Sequence, residues 1–245
     1  MRRSKISSDK VLIAIFYMLL ALIALICLFP IVFAFIGSLS TEDEVTRNGF
    51  TLFPETISFD TYKYVFQTQG PKLLNAYKTS IIVTVGGTLI SVFVTITYAY
   101  TITVRDFKFG KFLAFFAYFT MLFNGGMLPW YLVTTKYLGL KDSYLAMILP
   151  YAMNVFNMYL IRNFIKGLPY ELIESAKIDG AGHFRILWKM ILPLSKAGIV
   201  TITLFYALQY WNDFYLPLML INDEKLYSIQ YILYKTYFKI LFNSI

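Results

Sequence analysis

Apolar and polar positions fall in long blocks along this chain. Five apolar runs stand out, at about 11–36, 79–104, 112–133, 144–161 and 197–221. A helix needs about 20 apolar residues to cross a hydrocarbon core, within a range of about 17 to 25. The pattern therefore predicts an all-α, polytopic membrane protein with five spanning helices, forming one transmembrane domain over 1–245. Asn124-Gly125-Gly126 and Pro129 sit near the end of the third run, so that end is expected to be unwound or kinked. Pro150, Asn154 and Asn157 lie inside the fourth. The tail from Asn222 to Ile245 carries Lys225, Gln230, Lys235 and Lys239, spaced too regularly for a further span.

Arg2, Arg3, Lys5 and Lys10 precede the first run. A basic start before an apolar stretch is also how a signal peptide begins. This run, at about 26 residues, far exceeds a 7–15 residue signal core, so a retained helix is expected. Placing the N-terminus in the cytoplasm puts thirteen Lys and Arg residues inside and nine outside, the excess expected of cytoplasmic loops. The segment 162–196 is then cytoplasmic.

That segment contains Leu168–Pro193, which has its own pattern. Pro169 suits a first helical turn, nothing breaks a helix from there to Asp179, and Gly180 supplies a stop, with Gly182 two residues on. Phe184, Leu187, Trp188 and Ile191 then recur at helical spacing, with Arg185 and Lys189 off the stripe. Neither piece can span. The expectation is a helix–glycine–helix lying along a membrane surface, with Glu174 and Lys177 paired on its exposed face.

Composition narrows the class. Of 245 residues, 58% are hydrophobic and 15% charged, with a mean hydropathy of +0.61. Soluble domains are nearer 45–50% apolar and about 25% charged. The net charge of +8 is explained by positive-inside topology, which removes the case for nucleic acid. One Cys27 and one His183 leave no basis for a disulfide framework or a His-rich metal centre, and no metal site is expected. No G-x-x-x-x-G-K-[ST] occurs, since Arg105 stands where the first glycine before Gly110-Lys111 belongs. Nor is there an H-E-x-x-H, a G-x-S-x-G, or a pair of intramembrane carboxylates for acid–base work. The chain is expected to be no enzyme and to bind no cofactor itself.

Glu174-Ser175-Ala176, three residues, Gly180, and then Leu192-Pro193 resemble the EAA loop of the permease subunits of bacterial ABC importers. Ser175 replaces the usual first alanine and Met190 a usual isoleucine. The surrounding text is similar to the maltose-type, carbohydrate-uptake branch. Trp211-Asn212-Asp213-Phe214 with Pro217-Leu218 resembles that branch too, as do Leu138-Gly139-Leu140, Asp142-Ser143, Phe53-Pro54, Phe59-Asp60 and Tyr62. The resemblance covers nearly the whole chain and is most specific in the cytoplasmic loop.

The resemblance implies a type I importer transmembrane domain in the bacterial cytoplasmic membrane. Glu174, Ser175, Ala176, Asp179 and Gly180 would form the coupling helix seated on an ATPase subunit dimer, which carries ATP and Mg. A second, related permease subunit, an extracytoplasmic substrate-binding protein and a carbohydrate complete the implied partners. An ordinary interfacial amphipathic helix is the alternative for the loop. For the pathway, Asn154, Asn157, Tyr210, Trp211, Asn212 and Asp213 are the candidates. Asp213 would lie about 24 Å along an unbroken fifth helix, where a charge must avoid lipid. Two readings of this group stand: sugar contact, or helix packing with an interfacial aromatic belt. The family usually has a sixth helix after the tail, and its lack before Ile245 is expected to reflect truncation. The rival for the whole chain is a transporter driven by an ion gradient, for which Asp213 is the one intramembrane acid available.

Overall fold

The structure, a computed structural model, describes residues 3–243, so Arg2 and the chain end at Ile245 lie outside the described residues. Helix dominates. Among the described residues there is no strand, only one isolated bridge between Ser40 and Ile57. The chain divides into two compact units, Met1–Pro71 and Lys72–Ile245.

In the first unit, α1 (Arg3–Ser38) is a long apolar helix whose side chains stay exposed from Val11 to Phe35 almost without interruption. A helix apolar all round and covered by nothing suits a lipid or helix-lined setting. A compact loop follows. Thr41 caps the short α2 (Glu42–Asn48), and the buried Glu44 accepts the Glu55 backbone N–H at 2.8 Å. This folds the loop back on itself ahead of α3 (Asp60–Tyr64) and leaves Phe53 fully outward.

The second unit begins along α4 (Gly70–Thr101), which starts earlier than the expected 79 and stops short of 104. Its polar beginning remains helical because the loop near residue 224 holds it: Lys72 reaches Glu224 at 3.8 Å and the Asn75 amide donates to the Lys225 carbonyl. The third run, expected over 112–133, is two helices, α5 (Gly110–Leu122) and α6 (Met127–Leu132), and the helical pair is bent by 117° at Asn124-Gly125-Gly126. The fourth, expected over 144–161, is α7 (Tyr144–Ile148), a tight turn at Leu149–Tyr151, and α8 (Val155–Lys166), with a bend of 54°. Proline at 150 removes a backbone donor, so the helix breaks there and restarts.

Next come α9 (Tyr170–Ile178) and α10 (His183–Ile186), the latter continuing as a widened turn into α11 (Leu192–Leu194). At Ser195 the chain turns by 85° into α12 (Lys196–Trp211). The fifth run, expected unbroken over 197–221, is interrupted at 212–214 and resumes as α13 (Tyr215–Leu220). The tail holds a further helix, α14 (Ile229–Asn243), within a stretch expected only to be no span. Among the described residues, two helices are long and apolar enough to cross a membrane by themselves, or up to five if each bent pair is one span.

The core of this unit gathers where α12 packs on α8, α13 on α7 and α5 on α8. Met147, Met158, Ile161, Ile202, Tyr206, Leu216 and Leu220 are fully buried there. Apolar burial alone gives helices little reason to associate in lipid, so close approach and hydrogen bonds matter more. Two glycines provide such close approaches: a Cβ at Gly198 on α12 would lie 2.6 Å from the Phe164 ring, and one at Gly87 on α4 would lie 2.7 Å from the Tyr210 ring.

Candidate coupling loop and translocation path

α9 ends in a double-bonded glycine turn. The Ala181 N–H donates to the Ala176 carbonyl at 2.9 Å and the Gly180 N–H to that of Lys177 at 3.0 Å. Together they close a Schellman motif, which requires the left-handed backbone found at Gly180, φ +75°. Ala176 and Ala181 meet across this closure and pack on the core. Glu174, Ser175, Asp179 and Gly180 face outward. The candidate coupling residues are thus split by the fold: one alanine anchors, and four positions are presented. A Cβ on Gly180 would meet nothing within 4 Å, so the need for glycine here is conformational and not steric within this chain.

Three contacts tie the loop to the end of α4 and the turn after it. Lys177 pairs with Asp106 at 2.7 Å, in place of the expected partner Glu174. The Lys177 ammonium holds the Asp106 carboxyl below the ordinary carboxylate range, and Asp106 in turn raises Lys177. The Arg105 guanidinium lies 3.8 Å from the centre of the Tyr170 ring, and the Tyr100 hydroxyl is 3.0 Å from His183 Nδ1.

The apolar face after Gly180 differs from the expected stripe. Ile186, Leu187 and Ile191 are buried, whereas Phe184 and Trp188 point outward with their rings 5.8 Å apart. The widened turn over Leu187–Ile191 rotates the register, which regular helical spacing misses. Ile178 and Phe184, 82% and 74% exposed, therefore flank Gly180 as an uncovered apolar pair. Helical spacing places Phe184 and Trp188 on one face with Leu187 and Ile191, and that stripe does not include Ile178. The available signal was an isoleucine on the same side as Glu174 and Ser175.

The pathway candidates separate in the same way. Asn154 is the cap of α8, its Oδ1 accepting the N–H groups of Phe156 at 2.9 Å and Asn157 at 3.2 Å. Its own N–H donates to the Tyr206 hydroxyl at 2.8 Å, which also meets Thr95 Oγ1 at 2.6 Å. Asn157 is buried one turn on. Tyr210 donates to the Ile148 carbonyl at 2.9 Å and touches Ser91 Oγ at 2.8 Å. Two tyrosines of α12 thereby satisfy backbone groups left open where the fourth span breaks. Asp213 occupies the second break and not mid-helix. Its Oδ1 accepts the Tyr215 N–H at 3.1 Å and the Tyr151 hydroxyl at 3.3 Å, and its Oδ2 accepts the Leu216 N–H at 3.3 Å. Asn154, Tyr210 and Asp213 thus belong to one polar scaffold, while Trp211 and Asn212 stand on the open side of α12.

A third cluster had no assigned role. Asp142, with φ +48°, accepts the backbone N–H groups of Asn222 and Asp223, which hold its carboxyl below the usual range. Ser143 caps α7 through the Ala146 N–H at 3.2 Å. This fastens the turn before the fourth span to the loop after the fifth.

Comparison with known proteins places this geometry. The family described as "Binding-protein-dependent transport system inner membrane component" matches residues 2–240. Protein LplC of Bacillus subtilis (strain 168) is 46% identical over 208 residues, 85% of this chain and 70% of that protein. The polygalacturonan/rhamnogalacturonan transport system permease protein YtcP of the same organism is 43% identical over 217 residues, 89% of this chain and 75% of that one. Among solved structures, a chain of a bacterial ABC transporter involved in the import of the acidic polysaccharide alginate superposes with a TM-score of 0.84 at 32% identity, covering 94% of this chain and 81% of that chain. With the family matched over almost its full length, this chain belongs to the inner-membrane components of binding-protein-dependent transport systems.

Proposed function

We propose that this chain is the permease subunit of an ATP-driven ABC importer that passes a carbohydrate, an oligosaccharide or polysaccharide fragment, across the cytoplasmic membrane. Relatives named for polygalacturonan and arabinooligosaccharide transport support that substrate class. The N-terminus is cytoplasmic, five crossings form one permease domain, and the loop over 162–196 faces the cytoplasm. This chain carries no nucleotide site. ATP and Mg sit on a separate ATPase dimer, a second related permease subunit completes the path, and a binding protein delivers the sugar to the outer loops, where Phe53 stands exposed.

The observation that carries this reading is the Gly180 turn, which presents Glu174, Ser175, Ile178 and Phe184 outward while Lys177 and Tyr170 tie its back to the α4 end. An exposed apolar pair beside a fixed turn is a contact surface awaiting a partner. When ATP closes the ATPase dimer, the loop moves with it, and the 85° corner at Ser195 turns that displacement into a tilt of α12. Access then alternates between the two sides. Trp211 and Asn212 offer stacking and hydrogen bonding to sugar; Asn154, Asn157, Tyr210 and Asp213 hold the broken helices that frame the path.

Site-directed cross-linking tests this. With Cys27→Ala as background, Ser175→Cys in the assembled transporter should form a cross-link to the ATPase subunit whose yield changes on adding ATP. A cross-link to lipid-facing or outer-loop positions alone would refute the assignment.

A further inference from the structure

A cavity of about 610 Å³ lies behind the Gly180 loop, between the end of α4, the turn at 103–105, the end of α8 and the start of α9. Its charged wall is mainly basic. Arg105, Lys166, Lys177 and His183 line it, against Glu171 as the one carboxylate among the lining residues. Lys177 is already neutralised by Asp106, and His183 is engaged by Tyr100. Arg105 and Lys166 form no ion pair with a carboxylate among the described residues, although Asp106, already bonded to Lys177, feels the Arg105 charge. The Arg105 guanidinium carbon sits 3.8 Å from the centre of the Tyr170 ring, a contact with the aromatic face that consumes no carboxylate. A guanidinium fork and an ammonium lining one cavity are a donor set that suits a tetrahedral oxyanion. The cavity also opens where two apolar helices, α4 and α8, end, the level at which lipid phosphates lie beside a spanning segment.

We propose that this cavity binds a phosphate-bearing anion through Arg105 and Lys166. The bound anion joins the turn at 105, the end of α8 and the first turn of α9, so it stiffens the base from which the loop projects. Transmission through the loop then depends on the occupant. The binding claim stands apart from the transport assignment, because its readout is occupancy.

The shared chemistry has two sources, a phospholipid headgroup and a soluble phosphate ester, and one experiment separates them. Purified transporter in neutral detergent is titrated with dioctanoyl phosphatidylglycerol in one arm and glycerol 3-phosphate in the other, and adducts are counted by native mass spectrometry. One saturable adduct is expected, weakened about tenfold by Lys166→Gln and by Arg105→Gln, the effect of removing a charge-assisted contact. Lys108→Gln removes a cation from the same turn that does not line the cavity, and should leave the affinity unchanged. An adduct in the lipid arm alone identifies a headgroup site; one in both arms identifies a phosphate site open to soluble esters. No saturable adduct in either arm overturns the proposal. So does equal weakening by Lys108→Gln and Lys166→Gln, which would mean diffuse attraction and no site.

Discussion

Gly180 shows how one residue sets the form of the loop after α9, the surface proposed for coupling. Its positive φ costs a β-carbon residue about 1 kcal/mol, less for asparagine, which tolerates the left-handed region. With open space around it, Gly180→Asn should fold and retain most ATP-driven uptake, whereas Gly180→Val should lose the turn and with it uptake. Equal uptake by the two variants would show that the turn's conformation is not what coupling needs. Asp142 gives a pH-dependent counterpart. Its carboxyl is held low by the Asn222 and Asp223 N–H groups, so its stabilising contribution is full above the unfolded value of about 4 and fades as pH falls through the lower folded value. Melting curves of wild type and Asp142→Asn should therefore differ at neutral pH and converge in acid. A constant gap across that window would contradict the assignment.

At the scale of elements, side chains from neighbouring helices hold the breaks in the spans. Tyr206→Phe strips the partner from the Asn154 N–H, and should cost about 1 kcal/mol with substrate preference unchanged, read by thermal melting and competition uptake. Trp211→Ala should do the reverse, raising the substrate concentration needed for half-maximal uptake with little loss of stability. If Tyr206→Phe altered preference and Trp211→Ala did not, scaffold and path would have to be exchanged. Gly87→Ala drives a methyl into the Tyr210 ring and should destabilise by about 1–3 kcal/mol. The apolar runs were legible because spanning lengths are long and composition is one-sided. Their breaks were legible only in part. Asn124-Gly125-Gly126 announces its bend, but the break after Trp211 rests on Asp213, which caps the next helix through the Tyr215 and Leu216 N–H groups and takes the Tyr151 hydroxyl from another span, and apolar run length does not record that. The split of Phe184 and Trp188 from the buried Leu187 and Ile191 goes with the widened turn over Leu187–Ile191, which regular helical spacing does not anticipate.

At the scale of the molecule, the outward Gly180 loop leads through the corner at Ser195 into helices whose breaks are braced by hydrogen bonds. The loop's motif and its glycine were readable from residue types alone. Its anchoring was not, since Lys177–Asp106 and Arg105–Tyr170 join residues far apart in sequence. The central claim is that motion of a separate ATPase, transmitted through this loop, drives carbohydrate uptake. Reconstituting the full transporter in proteoliposomes and measuring sugar uptake with ATP and with ion gradients varied independently tests it most directly. Uptake should require ATP and the ATPase subunit and persist when proton and sodium gradients are collapsed. Uptake that continues without ATP but stops when those gradients are dissipated would contradict it.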